Sequence, residues 1–218
     1  MTGDIIHNNT QKAEFIYDTL NKKYPSAECA LEAEGDPFRL MVMAVLSAQC
    51  TDKRVNEVSK TLFAVLPDAQ AFASSKPGEL EALIRSVGLY NAKAKNLRAA
   101  SKMLVDEYGG VLPHEMDDLL RLPGVGRKVA NLLRGDIFGL GGIVADTHCI
   151  RICNRLGFTP NPDPVTTEKV MQELVPLERQ SRFCHCLVLF GRETCAARKP
   201  LCHDCELSGV CEYIHKTT

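Results

Sequence analysis

Leu122-Pro123-Gly124-Val125-Gly126-Arg127-Lys128 stands between two stretches of helical periodicity, and its reading decides the fold. Two glycines separated by one residue allow a tight helix-to-helix turn, with positive φ available and no β-carbon to keep a ligand away from the backbone. The turn opens into a helix N-terminus, where free amides and the helix dipole favour an anion such as a phosphate. Arg121, Arg127, Lys128 and Arg134 add positive charge around it. Taken alone, the Gly-x-Gly reads equally well as an ordinary αα-hairpin.

Outward from the turn the periodicity stays helical. Pro113 to Leu120 precedes it and Arg127 to Phe138 follows it. Upstream, Thr51-Asp52 caps a segment with Val55, Val58, Leu62 and Val65 on one face, and Pro67 stops it. Pro77 opens a second segment carrying Leu80, Leu83, Ile84 and Val87, which ends at Gly88. Ala94, Leu97, Ser101, Leu104 and Tyr108 mark a third, closed by Gly109-Gly110. Downstream, a helix capped by Asp146 runs to Leu156, and residues 167–175 and 179–193 form two more. No stretch alternates with period two, so the fold class is all-α. The acidic Ala27–Pro37 stretch and the proline-rich Thr159–Pro164 are expected to be linkers.

The 218 residues suffice for one large domain or two small ones with a real core. With 45% hydrophobic and 24% charged residues, disorder and fibrous architectures are excluded. The opening residues lack a basic stretch followed by an apolar one, so no signal peptide is expected. The longest apolar run, Leu40 to Leu46, is far too short for a membrane span. The formal charge of −1 argues against a nucleic-acid partner only in bulk. Residues 1–37 carry −4, which leaves +3 on residues 38–218.

Four of the ten cysteines crowd the C-terminus in the pattern Cys195-x6-Cys202-x2-Cys205-x5-Cys211. In a chain with no secretory signal this packing implies a metal site rather than disulfides. Spacing alone leaves Zn²⁺ and a [4Fe–4S] cluster both open. Cys149, Cys153, Cys184 and Cys186 lie in helical patterns among apolar neighbours and read as buried small hydrophobes.

The turn, the stretch Val144-Ala145-Asp146-Thr147-His148 and the terminal cysteines together resemble the helix-hairpin-helix DNA glycosylases of the endonuclease III family. Leu46-Ser47-Ala48-Gln49-Cys50-Thr51-Asp52 and Gly88-Leu89-Tyr90-Asn91-Ala92-Lys93-Ala94 resemble the same proteins, so the likeness runs from about Phe38 to Tyr213. It implies a two-lobed helix-hairpin-helix glycosylase fold. Residues 29–140 would form a helical barrel lobe with the hairpin at about 113–138, and residues 1–28 with 141–218 a cluster lobe, with Lys128 and Asp146 in the cleft between.

By the same resemblance Lys128 is the catalytic nucleophile and Asp146 the catalytic carboxylate. The amine would attack the sugar C1′, expel the base and hold the sugar as a Schiff base, after which β-elimination cuts the strand. Such a lysine must be partly unprotonated, and neighbouring positive charge helps. Gln49 would fill the space left by the flipped base and Leu89 would wedge the facing strand. Gly124, Val125, Gly126 and Arg127 would hold a phosphate, with Arg192 and Lys199 as further DNA contacts. The cysteines would carry a [4Fe–4S] cluster.

Adenine glycosylases of this superfamily, which are monofunctional, typically carry a serine in place of the lysine, so Lys128 points to a bifunctional glycosylase and abasic-site lyase. The expected partner is double-stranded DNA with oxidised pyrimidines or abasic sites, and the chain is expected to be a cytoplasmic, nucleoid-associated monomer of bacterial or archaeal type. A monofunctional glycosylase for another lesion and a non-catalytic DNA-binding module with zinc in its tail are the rival readings. The chain departs from the family at Leu133-Arg134-Gly135-Asp136-Ile137, where apolar and small residues are expected, and at Phe190, where a histidine is expected.

Overall fold

A computed structural model describes residues 8–214, so the stretch Met1–His7 read for a leader lies outside the described residues. The helices are α1 (Asn9–Lys23), α2 (Pro37–Leu46), α3 (Asp52–Val65), α4 (Ala69–Ser74), α5 (Glu79–Leu83), α6 (Tyr90–Tyr108), α7 (Met116–Arg121), α8 (Arg127–Asp136), α9 (Thr147–Arg155), α10 (Pro164–Leu174) and α11 (Gln180–Glu193). Among the described residues there is no strand, as the all-α reading requires. None of their helices is long and apolar enough to cross a membrane.

The starts of these helices are written in side chains. Asp36, Thr51, Asp68, Asp146 and Asp163 each accept a backbone N–H from the first turn of the helix they precede. Pro37 and Pro164 sit in the first turn, where a missing N–H costs nothing.

The chain divides into two compact units, Cys29–Phe138 and the combination of Met1–Glu28 with Gly139–Thr218. The first is built around α2, whose residues Leu40 to Leu46 are all buried. A helix apolar on every side must be enclosed. Accordingly α3, α6 and α8 all pack on it, while α4 lies along α6 and α7 against α8. In the second unit α11 packs on α1 and α9, and α10 on α9 and α1. Cys149, Cys153, Cys184 and Cys186 are all buried in that core, and no disulfide joins any of the ten cysteines.

Several boundaries differ from the sequence expectation. The Pro77 segment breaks after Leu83 into a 3-10 turn, Arg85–Val87, before Gly88. The helix before the hairpin starts at Met116, and α8 stops at Asp136. Gly135 is therefore the penultimate residue of α8, where loss of helix propensity costs little. Helix α10 begins at Pro164, and Thr159 is buried. The acidic Ala27–Pro37 stretch is no free tether: Ala27, Leu31 and Ala33 are buried. The Asn56 amide also fastens it, donating to the Ala30 carbonyl and accepting from the Glu32 N–H.

Candidate functional site

The hairpin closes between α7 and α8. Gly124 has φ +88°, and a β-carbon there would lie 3.1 Å from that of Asn96, so glycine is required twice over. Val125 is buried and bonds back to the Leu122 carbonyl, which fixes the turn from within. Gly126 is the N-cap of α8 with no side-chain cap bond, and a β-carbon on it would meet only open space. The amide end of α8 is thus approachable, and Arg127 and Lys128 are exposed in its first turn.

Two of the arginines expected to surround Lys128 are committed elsewhere. Arg121 pairs with Glu107 at 2.5 Å and donates to the Tyr108 hydroxyl at 2.8 Å. Arg134 donates to the His114 carbonyl at 2.7 Å, with Glu115 at 3.9 Å. Both positive charges are offset by carboxylates, so they add less to the basic surroundings of the turn than a count of arginines implies. Asp136 bonds to the Cys29 thiol, whose pKa burial pushes up to about 12, with the Asp136 and Asp52 charges adding to the rise.

Gln49 and Leu89 are exposed tips of two turns, and both have left-handed backbones, at φ 55° and φ 49°. Leu89 is 58% exposed, so it is a projecting side chain rather than a core residue. A left-handed conformation in a branched apolar residue persists only where its surroundings enforce it.

In the other unit Asp146 caps α9. Its Oδ1 accepts from the backbone N–H groups of His148 and Cys149. His148, on the same turn, has a lowered pKa: burial is the main cause and Arg151 and Arg192 add to it, against the Asp146 charge. The side of α9 holds the first cysteine of the C-terminal group. Arg151 donates to the Cys195 carbonyl at 2.9 Å and to the Gly191 carbonyl at 3.1 Å. Arg155 reaches the Cys195 sulfur at 3.2 Å, the Ala196 carbonyl at 2.8 Å and the Ala197 carbonyl at 3.1 Å. Cys195, Cys202, Cys205 and Cys211 together line one small recess, walled by Ile152, Leu156, Phe190 and Leu207. Burial raises the Cys205 pKa, and the charges of Cys195 and Cys211 raise it further. Burial disfavours the charged form of a thiol, so ionising several of them in one apolar recess requires a cation there to take the place of their protons. Arg192 and Lys199 are exposed, Lys199 with φ 51°.

Residues 42–177 match the family of HhH-GPD superfamily base excision DNA repair proteins. The endonuclease III of Synechocystis sp. is 44% identical over 202 residues, covering 92% of each chain. This chain belongs to the endonuclease III family. It is a base excision DNA repair enzyme, a bifunctional glycosylase and lyase. A solved non-covalent endonuclease III–DNA complex superposes with a TM-score of 0.88 at 39% identity, covering 95% of this chain and 97% of that one. A trapped endonuclease III–DNA covalent intermediate gives 0.88 at 38% identity, covering 96% and 99%.

Residues that the sequence did not single out in this endonuclease III family member are those working from behind. Lys93, Arg151 and Arg155 reach backbone carbonyls far away in the chain, and a lone basic residue in a helix gives no sign of such an acceptor.

Proposed function

We propose that this enzyme removes oxidised pyrimidines from double-stranded DNA and opens the strand at the resulting abasic site, with Lys128 as nucleophile. The observation that carries the reading is the placement of Lys128: exposed, in the first turn of the hairpin's second helix, two residues beyond an open glycine amide. The backbone of Gly124, Val125, Gly126 and Arg127 holds a phosphate at that amide end. Lys128 is thereby set beside the sugar it attacks, since phosphate and C1′ belong to one nucleotide.

The amine adds to C1′, the base leaves with the bonding electrons, and loss of a proton from nitrogen with ring opening leaves a Schiff base. The iminium acidifies C2′, so removal of that proton expels the 3′ phosphate. Asp146 is the carboxylate that stabilises the cationic sugar and moves protons, using the oxygen its cap bonds leave over. Gln49 and Leu89 occupy the gap in the duplex, and Arg192 and Lys199 contact phosphates.

Cys195, Cys202, Cys205 and Cys211 hold a [4Fe–4S] cluster, which ties down the chain's last segment and the basic loop within it. Their common recess supports that reading.

Borohydride trapping tests the nucleophile. The enzyme is expected to form a covalent adduct with duplexes containing thymine glycol or an abasic site, and Lys128→Ala to form none. Equal trapping by that variant defeats the assignment.

A further inference from the structure

Lys93 is in the first turn of α6, yet it is only 5% exposed. Lysine is almost never buried unless its charge is satisfied. Here the ammonium donates to the carbonyls of Leu46 at 2.8 Å, Ala48 at 2.7 Å and Val87 at 2.7 Å, so each of its three protons has an acceptor. These carbonyls belong to two turns about forty residues apart in sequence. Leu46 and Ala48 lead into Gln49, and Val87 leads through Gly88 into Leu89. Both tips are left-handed, a state that costs about 1–2 kcal/mol at a residue with a side chain. Both side chains point outward, so neither can hold its own turn in place.

We propose that Lys93 is a positioning residue: shared between the two turns, its ammonium holds Gln49 and Leu89 at a fixed separation, so that both enter the DNA duplex together around one extruded nucleotide. This rests on the reading of Gln49 and Leu89 given above. A point charge with three donors on a flexible stem suits three converging carbonyls, while a planar guanidinium does not. A methionine would fill the volume and leave all three carbonyls without a donor. Burial lowers the pKa of Lys93 while the charge of Cys50 raises it. A purely structural lysine would serve equally by capping the last carbonyl of α2.

The two roles separate on substrates that do and do not need the gap filled. Strand opening at an abasic site in single-stranded DNA requires no plug or wedge; glycosylase action on thymine glycol in a duplex requires both. Lys93→Met and Lys93→Arg are compared with the parent on both substrates, with thermal melts and the visible iron–sulfur absorbance recording the fold. The expected result is a fall of about 10- to 100-fold on the duplex with single-stranded strand opening nearly unchanged. Removing Gln49 and Leu89 as well should cost the Lys93 variants much less than it costs the parent. Equal losses on both substrates, full duplex activity, additive losses in that cycle, or failure of both variants to fold would each overturn the proposal. A parent enzyme inactive on both substrates would instead defeat the underlying glycosylase and lyase reading.

Discussion

Asp146 Oδ1 accepts the backbone N–H of Cys149 at 2.8 Å, and the same oxygen accepts that of His148 at 2.9 Å. Both cap bonds fall on one oxygen, so Oδ2 takes no part in the cap, and helix capping and acid–base chemistry are compatible in one side chain. Asn caps as well as Asp but cannot carry a proton or a negative charge. Asp146→Asn is therefore expected to melt with the parent and to lose activity by roughly 100-fold or more. Asp146→Ala should lose the same activity and about 1 kcal/mol of stability besides. Single-turnover base release and urea denaturation, run on both variants, separate the two contributions. A stable and active Asp146→Asn would leave the cap as the residue's only role.

Arg155 bonds to a thiol sulfur, two adjacent carbonyls and the ring of Tyr213, whose centroid lies 4.5 Å away. Partners that orient a metal ligand typically change metal retention by 10- to 100-fold when removed. With the proposed cluster on Cys195, Arg155→Gln is expected to lose iron to a chelator about tenfold faster than the parent. Iron release identical to that of the parent would show that the arginine serves only the fold of the loop.

Glu81 accepts from Nη2 of Arg98 at 3.0 Å, from Nη1 at 3.3 Å, and from the Gly78 N–H at 2.9 Å, joining the start of α5 to α6. The Arg98 bond holds its carboxyl below the ordinary value of 4.5, against the effect of burial. A carboxylate with a depressed folded pKa contributes stability that is complete above the unfolded value and is lost as pH falls through the folded one. Glu81→Gln should accordingly be less stable than the parent at neutral pH, by on the order of 0.5–1 kcal/mol. The gap should close as pH drops below about 4.5. Urea midpoints measured across that window check the sign, and a gap that widens in acid would contradict it.

What could be read from the sequence was whatever is local. Helix α3 and the hairpin announce themselves through periodic apolar positions, an adjacent cap and paired glycines. Helix α2 does not, because seven consecutive buried residues have no polar face and hence no period. Helix α4, six residues long, is too short to show one. The ion pairs of the arginines near the turn are hidden for a related reason. Arg121 looks basic along the chain, but its charge is offset by Glu107, fourteen residues away on another helix. The roles of Lys93 and Arg155 depend on carbonyl groups, which every residue has and no sequence pattern marks.

Gly191 lies inside α11 where no unusual backbone is needed, so its requirement is one of space. A β-carbon on it would sit 2.4 Å from Nδ1 of His148 and 2.8 Å from Nη2 of Arg151. The imidazole is a rigid ring held two residues from Asp146, and the guanidinium is held by the Cys195 and Gly191 carbonyls, so neither yields cheaply. Gly191→Ala is expected to cost about 1–3 kcal/mol in urea denaturation, as overpacking does in a filled core. The displaced ring lies on the turn that Asp146 caps and the displaced arginine holds the Cys195 carbonyl, so base release and iron retention should fall together in this variant. Asp146→Asn should lower base release alone and Arg155→Gln should weaken iron retention first. A Gly191→Ala enzyme with parental stability would mean that the His148 ring has room to turn aside, and iron retention should then be parental as well.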